Sequence, residues 1–137
     1  MTFDEKYETG HAQIDAEHRD LFMLLRATVD AVEDNDKKGV NVEDAIDFLA
    51  KYVLNHFATE ENIMELSDFP GYALHKKQHD DFVIAVVDLR RRVLAETDRK
   101  KAGHMLMSAV SNWVDSHVLD SDMEMAAHYK KWMGEEL

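Results

Sequence analysis

The stretch AIDFLAKYVLNHFATEENIM, residues 45–64, decides the fold. Its apolar residues Ala45, Ile46, Leu49, Tyr52, Val53, Phe57, Ile63 and Met64 recur at steps of three and four, the period of a helical face and not of a strand. Two polar residues keep that step. His56 and Glu60 are four apart, so they stand one turn from each other on the apolar stripe and point to the core. Glu61 falls off the stripe and reads as a solvent carboxylate, an internal control for Glu60. Asn41 is the candidate N-cap of this helix.

The same period continues on both sides. Upstream, Leu21, Phe22, Leu25, Val29 and Val32 form a stripe that ends in the polar run Glu33 to Lys38, with Gly39 as the expected stop. Downstream, Ser67, Asp68, Pro70 and Gly71 break the chain before a third stripe through Tyr72, Phe82, Val86, Leu89 and Val93. Thr97 to Gly103 reads as a turn into a fourth stripe through Leu106, Val110, Trp113 and Val114. Ala126, Tyr129, Trp132 and Met133 predict one or two further turns. The fold expected is all-α, an up-and-down four-helix bundle with a short C-terminal helical tail, and residues 1–137 suit one domain around one core.

Composition narrows the chemistry. A net charge of −12 repels a phosphate backbone, so nucleic acid is not an expected partner. With no cysteine there is no disulfide, thiolate zinc site or cysteine-ligated cluster, and any metal must be held by nitrogen and oxygen. The charged start, and the lack of any window near the ~20 apolar residues that span a bilayer, predict a cytoplasmic protein without membrane insertion.

The polar residues that interrupt the stripes are the informative ones, because a buried ionisable group needs a partner or a metal. His75 and His79 repeat the four-residue spacing on the third stripe; His18 lies one turn before Leu21 and Phe22; His117 follows Trp113 and Val114. Asp122 is five residues beyond His117, a rotation of about 140° in a continuous α-helix, so the helix is expected to end near His117 to Leu119 and the chain to turn back. Asp120 is the weaker competitor. A single histidine–carboxylate pair at this spacing is commonly a surface pair. Five inward histidines from four helices are not, since each unpaired buried polar group costs about 1 to 3 kcal/mol. His11, His104 and His128 fall outside this convergence and are assigned to the surface or to local hydrogen bonds.

Seven ligands exceed what one ion takes from protein, so two ions are implied. Imidazole with carboxylate favours iron over magnesium or calcium. His75-Lys76-Lys77-Gln78-His79 lacks the glutamate beside the first histidine that a zinc protease uses as base. The glutamate-rich set of di-iron carboxylate enzymes is missing too, and neutral imidazoles favour high-valent iron less, which points to binding without oxygen cleavage.

These segments resemble the hemerythrin family in its bacterial single-domain form. The resemblance is carried by Ile14-Asp15-Ala16-Glu17-His18, by His56-Phe57-Ala58-Thr59-Glu60-Glu61, by His75-Lys76-Lys77-Gln78-His79, and by Trp113-Val114-Asp115-Ser116-His117 with Asp122. It implies that His75, His79 and His117 bind one iron and His18 and His56 the other, with Glu60, Asp122 and an oxo or hydroxo group bridging the two. The second iron then has the open position, and reversible O2 binding for storage, delivery or sensing is the implied function. The implied pocket walls are Leu21, Phe57, Trp113, Val114 and Val118; the family often has isoleucine where this chain has Val118. Nitric oxide or anions such as azide are the implied competing ligands, and an oxygenase or redox protein the implied partner. The rival reading is a di-iron peroxidase, nitric-oxide reductase or ferroxidase using the same ligands, which would need a proton donor near the open iron; Tyr52 and Tyr72 are the nearest candidates.

Overall fold

A computed structural model describes residues 3–34 and 41–134. Four long helices form the bundle: α1 (Ala12–Glu33), α2 (Val42–Leu66), α3 (Tyr72–Ala95) and α4 (Arg99–Ser116). A 3-10 turn, Glu5–Tyr7, precedes them, and α5 (Met123–Trp132) follows. Helix α1 packs on α2 and α4, and α3 on the same two, so the helices close a ring with short connections and no strand among the described residues. None of these helices is long and apolar enough to cross a membrane.

Side-chain caps fix where the helices begin. Asn41 accepts from the Asp44 amide at 3.1 Å, as the sequence predicts, and His11 Nδ1 accepts from the Ile14 amide at 3.3 Å. The break between α2 and α3 falls at Ser67–Gly71, where Asp68 takes the left-handed φ of 50° that a short polar side chain tolerates. The predicted stop at Gly39 lies outside the described residues.

Three expectations need correction. The turn before α4 is only Glu96–Asp98, because the Asp98 carboxylate accepts from the Lys101 amide at 3.1 Å and starts the helix there. Gly103 therefore lies inside α4, where a Cβ would come within 2.3 Å of Glu33 Cγ on α1. The tail is a ten-residue helix, longer than one or two turns, held by buried Met125 and Ala126.

The third correction matters most. The chain does not stop near His117 and turn back: His117–Asp122 continues α4 as a π-helical segment that runs directly into α5. A π-helix pairs residue i with i+5, so it brings residues five apart onto one face. His117 and Asp122 are both buried, while Leu119 and Asp120 are exposed. Asp120 is thereby removed as a competitor.

Two apolar clusters bracket these polar residues. The larger contains Leu25, Val29, Val32, Ile46, Leu49, Leu89, Val93 and Leu106. The smaller contains Ile14, Ile63, Met64, Phe69 and Met125. His18, His56, His75, His79 and His117 fall between them along their helices.

Candidate metal centre

All five histidines, Glu60 and Asp122 are buried and converge. Glu60, with 0% exposure, sits at the middle. Its Oε1 lies 3.0 Å from His79 Nε2, 3.2 Å from His75 Nε2 and 3.8 Å from His117 Nε2. Its Oε2 lies 3.0 Å from His56 Nε2 and 3.6 Å from His18 Nε2. Asp122 divides in the same way: Oδ1 is 3.0 Å from both His75 Nε2 and His117 Nε2, and Oδ2 is 3.2 Å from His18 Nε2. Two donor groups result, His75, His79 and His117 in one and His18 and His56 in the other, with each carboxylate facing both.

Several of these approaches are close without being hydrogen bonds. Both ring nitrogens of His18, Glu60 Oε2 and both Asp122 oxygens are buried with no hydrogen-bond partner. His79 Nε2 and His117 Nε2 face each other at 3.1 Å, an arrangement that needs a proton on one of them or a cation near both. Orphaned buried polar atoms are costly, and a cation among them removes the cost. The residues present therefore fit a metal site.

The electrostatics follow from the same packing. Burial pushes the His56 imidazole down, but the charge of Glu60, the hydrogen bond to Glu17 and the close approach of the Glu60 carboxylate outweigh it and hold the group up at about 10. His75 is likewise opposed by burial and raised to about 9 by Asp122 and Glu60. Burial alone would raise Glu60; the His56 charge and contacts with His117 and His18 hold it well below the usual carboxylate range. Asp122, opposed by burial and by the Glu60 charge, is lowered by His117, His18 and His75.

Three residues hold the imidazoles in a role that the sequence reading did not assign to them. Glu17 Oε1 meets His56 Nδ1 at 2.7 Å, Glu61 Oε2 meets His79 Nδ1 at 3.0 Å, and Gln78 Oε1 meets His117 Nδ1 at 2.8 Å. Glu61 is thus more than the solvent carboxylate expected, half-buried with Lys76 Nζ at 3.5 Å on its other oxygen. Each of the three sits next to an inward ligand on its own helix, at His18, Glu60 and His79. One residue of helix turns a side chain by about 100°, from the core to the seam with the next helix. There it reaches the neighbour's ligand, so a polar residue adjacent to an inward histidine is the signal that finds it.

Aromatic packing fixes two of the rings further. Phe57 stacks on His79 with centroids 3.8 Å apart, and Trp113 stacks on His117 at 4.2 Å. Leu21, Phe57, Trp113, Val114 and Val118 line a cavity of about 300 Å³, and Phe22 joins them. His18, His56, His117 and Asp122 reach this cavity, whereas Glu60, His75 and His79 do not. Tyr52 and Tyr72 are not on its walls; their hydroxyls donate to Asp20 at 2.9 Å and to Glu65 at 3.1 Å. His11 caps α1, His104 is exposed, and His128 Nε2 meets the Ser67 carbonyl at 2.8 Å, the local roles assigned to them.

Glu17→Gln tests the support of His56. It should weaken metal binding by about 10- to 100-fold, the usual cost of losing a partner of this kind, with helicity retained. Competition with a chromophoric chelator measures it; unchanged affinity would mean that Glu17 does not position the ring.

Comparison with known proteins agrees with this geometry. The chain is 29% identical over 122 residues to a bacteriohemerythrin of Pseudomonas paraeruginosa, covering 89% of this chain and 76% of that one. It is 31% identical over 118 residues to a bacteriohemerythrin of Ralstonia nicotianae, covering 86% and 80%. A bacteriohemerythrin of Clostridium acetobutylicum is 27% identical over 127 residues, covering 90% and 97%. No solved structure matches significantly. The family model described as the hemerythrin HHE cation binding domain matches residues 9–129, nearly the whole described chain and every one of the seven converging residues, and the chain belongs to the hemerythrin family.

Proposed function

We propose that the chain binds O2 reversibly at a pair of iron ions held by His18, His56, Glu60, His75, His79, His117 and Asp122, for storage, delivery or sensing of the gas. The observation that carries this reading is the division of the two carboxylates, each with one oxygen toward His75 and the other toward His18. Shared carboxylates of that kind suit two cations a few ångström apart. Imidazole nitrogen with carboxylate oxygen is a donor set that iron accepts. Paired ferrous ions, when bound, supply the electrons that hold O2 without cleaving it.

The rest falls to the chain. Holding the ring proton at Nδ1, toward Glu17, Glu61 and Gln78, leaves Nε2 of His56, His79 and His117 free to face a cation. The apolar walls Leu21, Phe57, Trp113, Val114 and Val118 exclude water and competing anions from the His18 and His56 side, the group of fewer ligands. Among the described residues the lining carries no hydroxyl side chain, so no tyrosine, serine or threonine of theirs can protonate and release reduced oxygen there. That favours carriage over a di-iron enzyme. Nitric oxide competes for the same place, as do those small anions that pass the apolar walls at high concentration, and the setting is the cytoplasm, with residues 1–137 acting as one domain.

The test is a cycle. The diferrous protein is prepared anaerobically, exposed to air and then depleted of O2 while its visible spectrum is followed. A ferric charge-transfer band that appears and vanishes over repeated cycles is expected; a stable diferric product after one exposure would favour the enzyme, and a single zinc per chain would end both readings.

Val118, buried against Tyr7 and Phe22, sets how tightly the pocket is closed. Val118→Ile adds one methylene and should slow autoxidation a few-fold, the scale of one buried methylene. An unchanged rate in stopped-flow or overnight spectra counts against a sealing role for this position.

A further inference from the structure

The cavity that reaches the imidazoles extends far beyond them. From His56 back to Ile46 its wall follows ten residues of α2, about 15 Å at the helical rise, and it ends among Leu49, Val93 and Leu106. Polar groups occur only at its edges. His18, His56, His117 and Asp122 close one end, and the ion pair of Arg90 Nε with Asp47 Oδ1, 2.7 Å apart, stands at the surface of the other. The exposed apolar lining residues, Leu54 at 50% and Val87 at 69%, lie on α2 and α3, with Ala50, Val83 and Val86 half-buried beside them. The opening therefore runs along the α2–α3 crevice.

Such a space is unusual in a core that otherwise packs closely. Its volume of about 300 Å³ is many times what a diatomic gas needs. An apolar void half that size, about 150 Å³, stays dry and admits benzene or xenon. No side chain along its middle can hydrogen-bond a ligand, so charged and strongly polar molecules are excluded by desolvation.

We propose that the apolar length of this cavity, from Leu54 and Val83 to Leu106 and away from the end closed by the metal ligands, is a second ligand site, which takes one small neutral apolar molecule of about the size of benzene through the crevice between α2 and α3. Binding there does not depend on gas chemistry. Where the chain carries O2 as proposed above, a resident molecule lies between the crevice and His18 and His56 and slows the approach of the gas.

Hexafluorobenzene is the probe, titrated into the full-length chain loaded with zinc and followed by fluorine NMR. Zinc is redox-silent, so the result is independent of the O2 reading. A saturable shift is expected, with contacts from the probe to the methyls of buried Leu49, Val93 and Leu106 and none to exposed Ile84. Ala50→Phe fills the void and should weaken binding by about tenfold or more, while Ile84→Ala leaves it unchanged. A shift that grows linearly without saturation, or contacts confined to surface methyls, overturns the proposal, and both are read on the unmodified chain. Equal affinity in a folded Ala50→Phe chain would overturn it as well.

Discussion

Glu60→Gln should leave the chain unable to retain either of the two irons proposed above. The substitution keeps the shape of the side chain and removes its charge and one of its two acceptor oxygens. In the bundle those oxygens serve different groups, Oε1 toward His75, His79 and His117 and Oε2 toward His56 and His18, so the loss reaches both at once. Iron per chain after desalting should fall from near two to below one. The metal-free form should suffer too, since removing one partner of a buried charged cluster costs about 3 to 5 kcal/mol. Glu61→Gln is the comparison, because among the converging residues it touches only His79 Nδ1 and should keep both ions with reduced affinity. Full retention of two irons by Glu60→Gln would show that the central carboxylate is not shared between them.

Stripping the metal should reverse the way stability depends on pH. In the metal-free bundle, against the opposing effect of burial, carboxylates hold His56 at about 10 and His75 at about 9. Both values exceed the ~6.5 of a free imidazole. A group raised on folding contributes fully below its unfolded value and loses that contribution as pH climbs through the folded one. The metal-free chain should therefore weaken from about pH 6.5 toward pH 9 to 10, by on the order of a few kcal/mol. Glu60 and Asp122 work in the opposite sense, contributing above their unfolded values near ~4 and losing that contribution as pH falls through their depressed folded ones. The metal-free optimum thus falls between about pH 4.5 and 6.5. With metal present the same nitrogens must shed their protons, so affinity and stability rise with pH across that upper range. Thermal melts of chelated and reloaded protein from pH 5 to 9 measure both slopes. A metal-free midpoint that climbs between pH 7 and 9 would contradict the raised histidines.

Much of this arrangement was legible in one dimension. His56 and Glu60 stand in step with Val53, Phe57 and Ile63, and a period of 3.6 is enough to assign them to the core without knowing what else is there. The same holds for His75 and His79. What periodicity cannot show is a change of period. The reading of His117 and Asp122 assumed 100° per residue, and from that assumption the only way to bring the aspartate inward was to end the helix; the chain instead rewinds for six residues and stays helical. Glu61 was misjudged for a related reason. Leaving the inner face does not lead to water when another helix lies along the seam, and a one-helix projection has no seam. The cavity was legible only at its metal end, because voids arise from how four faces meet.

The π segment sets two alignments at once. It puts Asp122 in line with His117, and it also sets the rotation at which α5 leaves the site, presenting Met125 and Ala126 to the core. Any substitution between them that keeps the count keeps both alignments. Losing one residue from Leu119–Ser121 would let the backbone relax to ordinary α winding with the aspartate four residues after His117, about 40° from it and still on its face. A one-residue gap here can therefore be absorbed, whereas the same gap earlier in α4 would rotate His117 and everything after it by about 100°, so natural variation in the length of this helix should concentrate in the π segment.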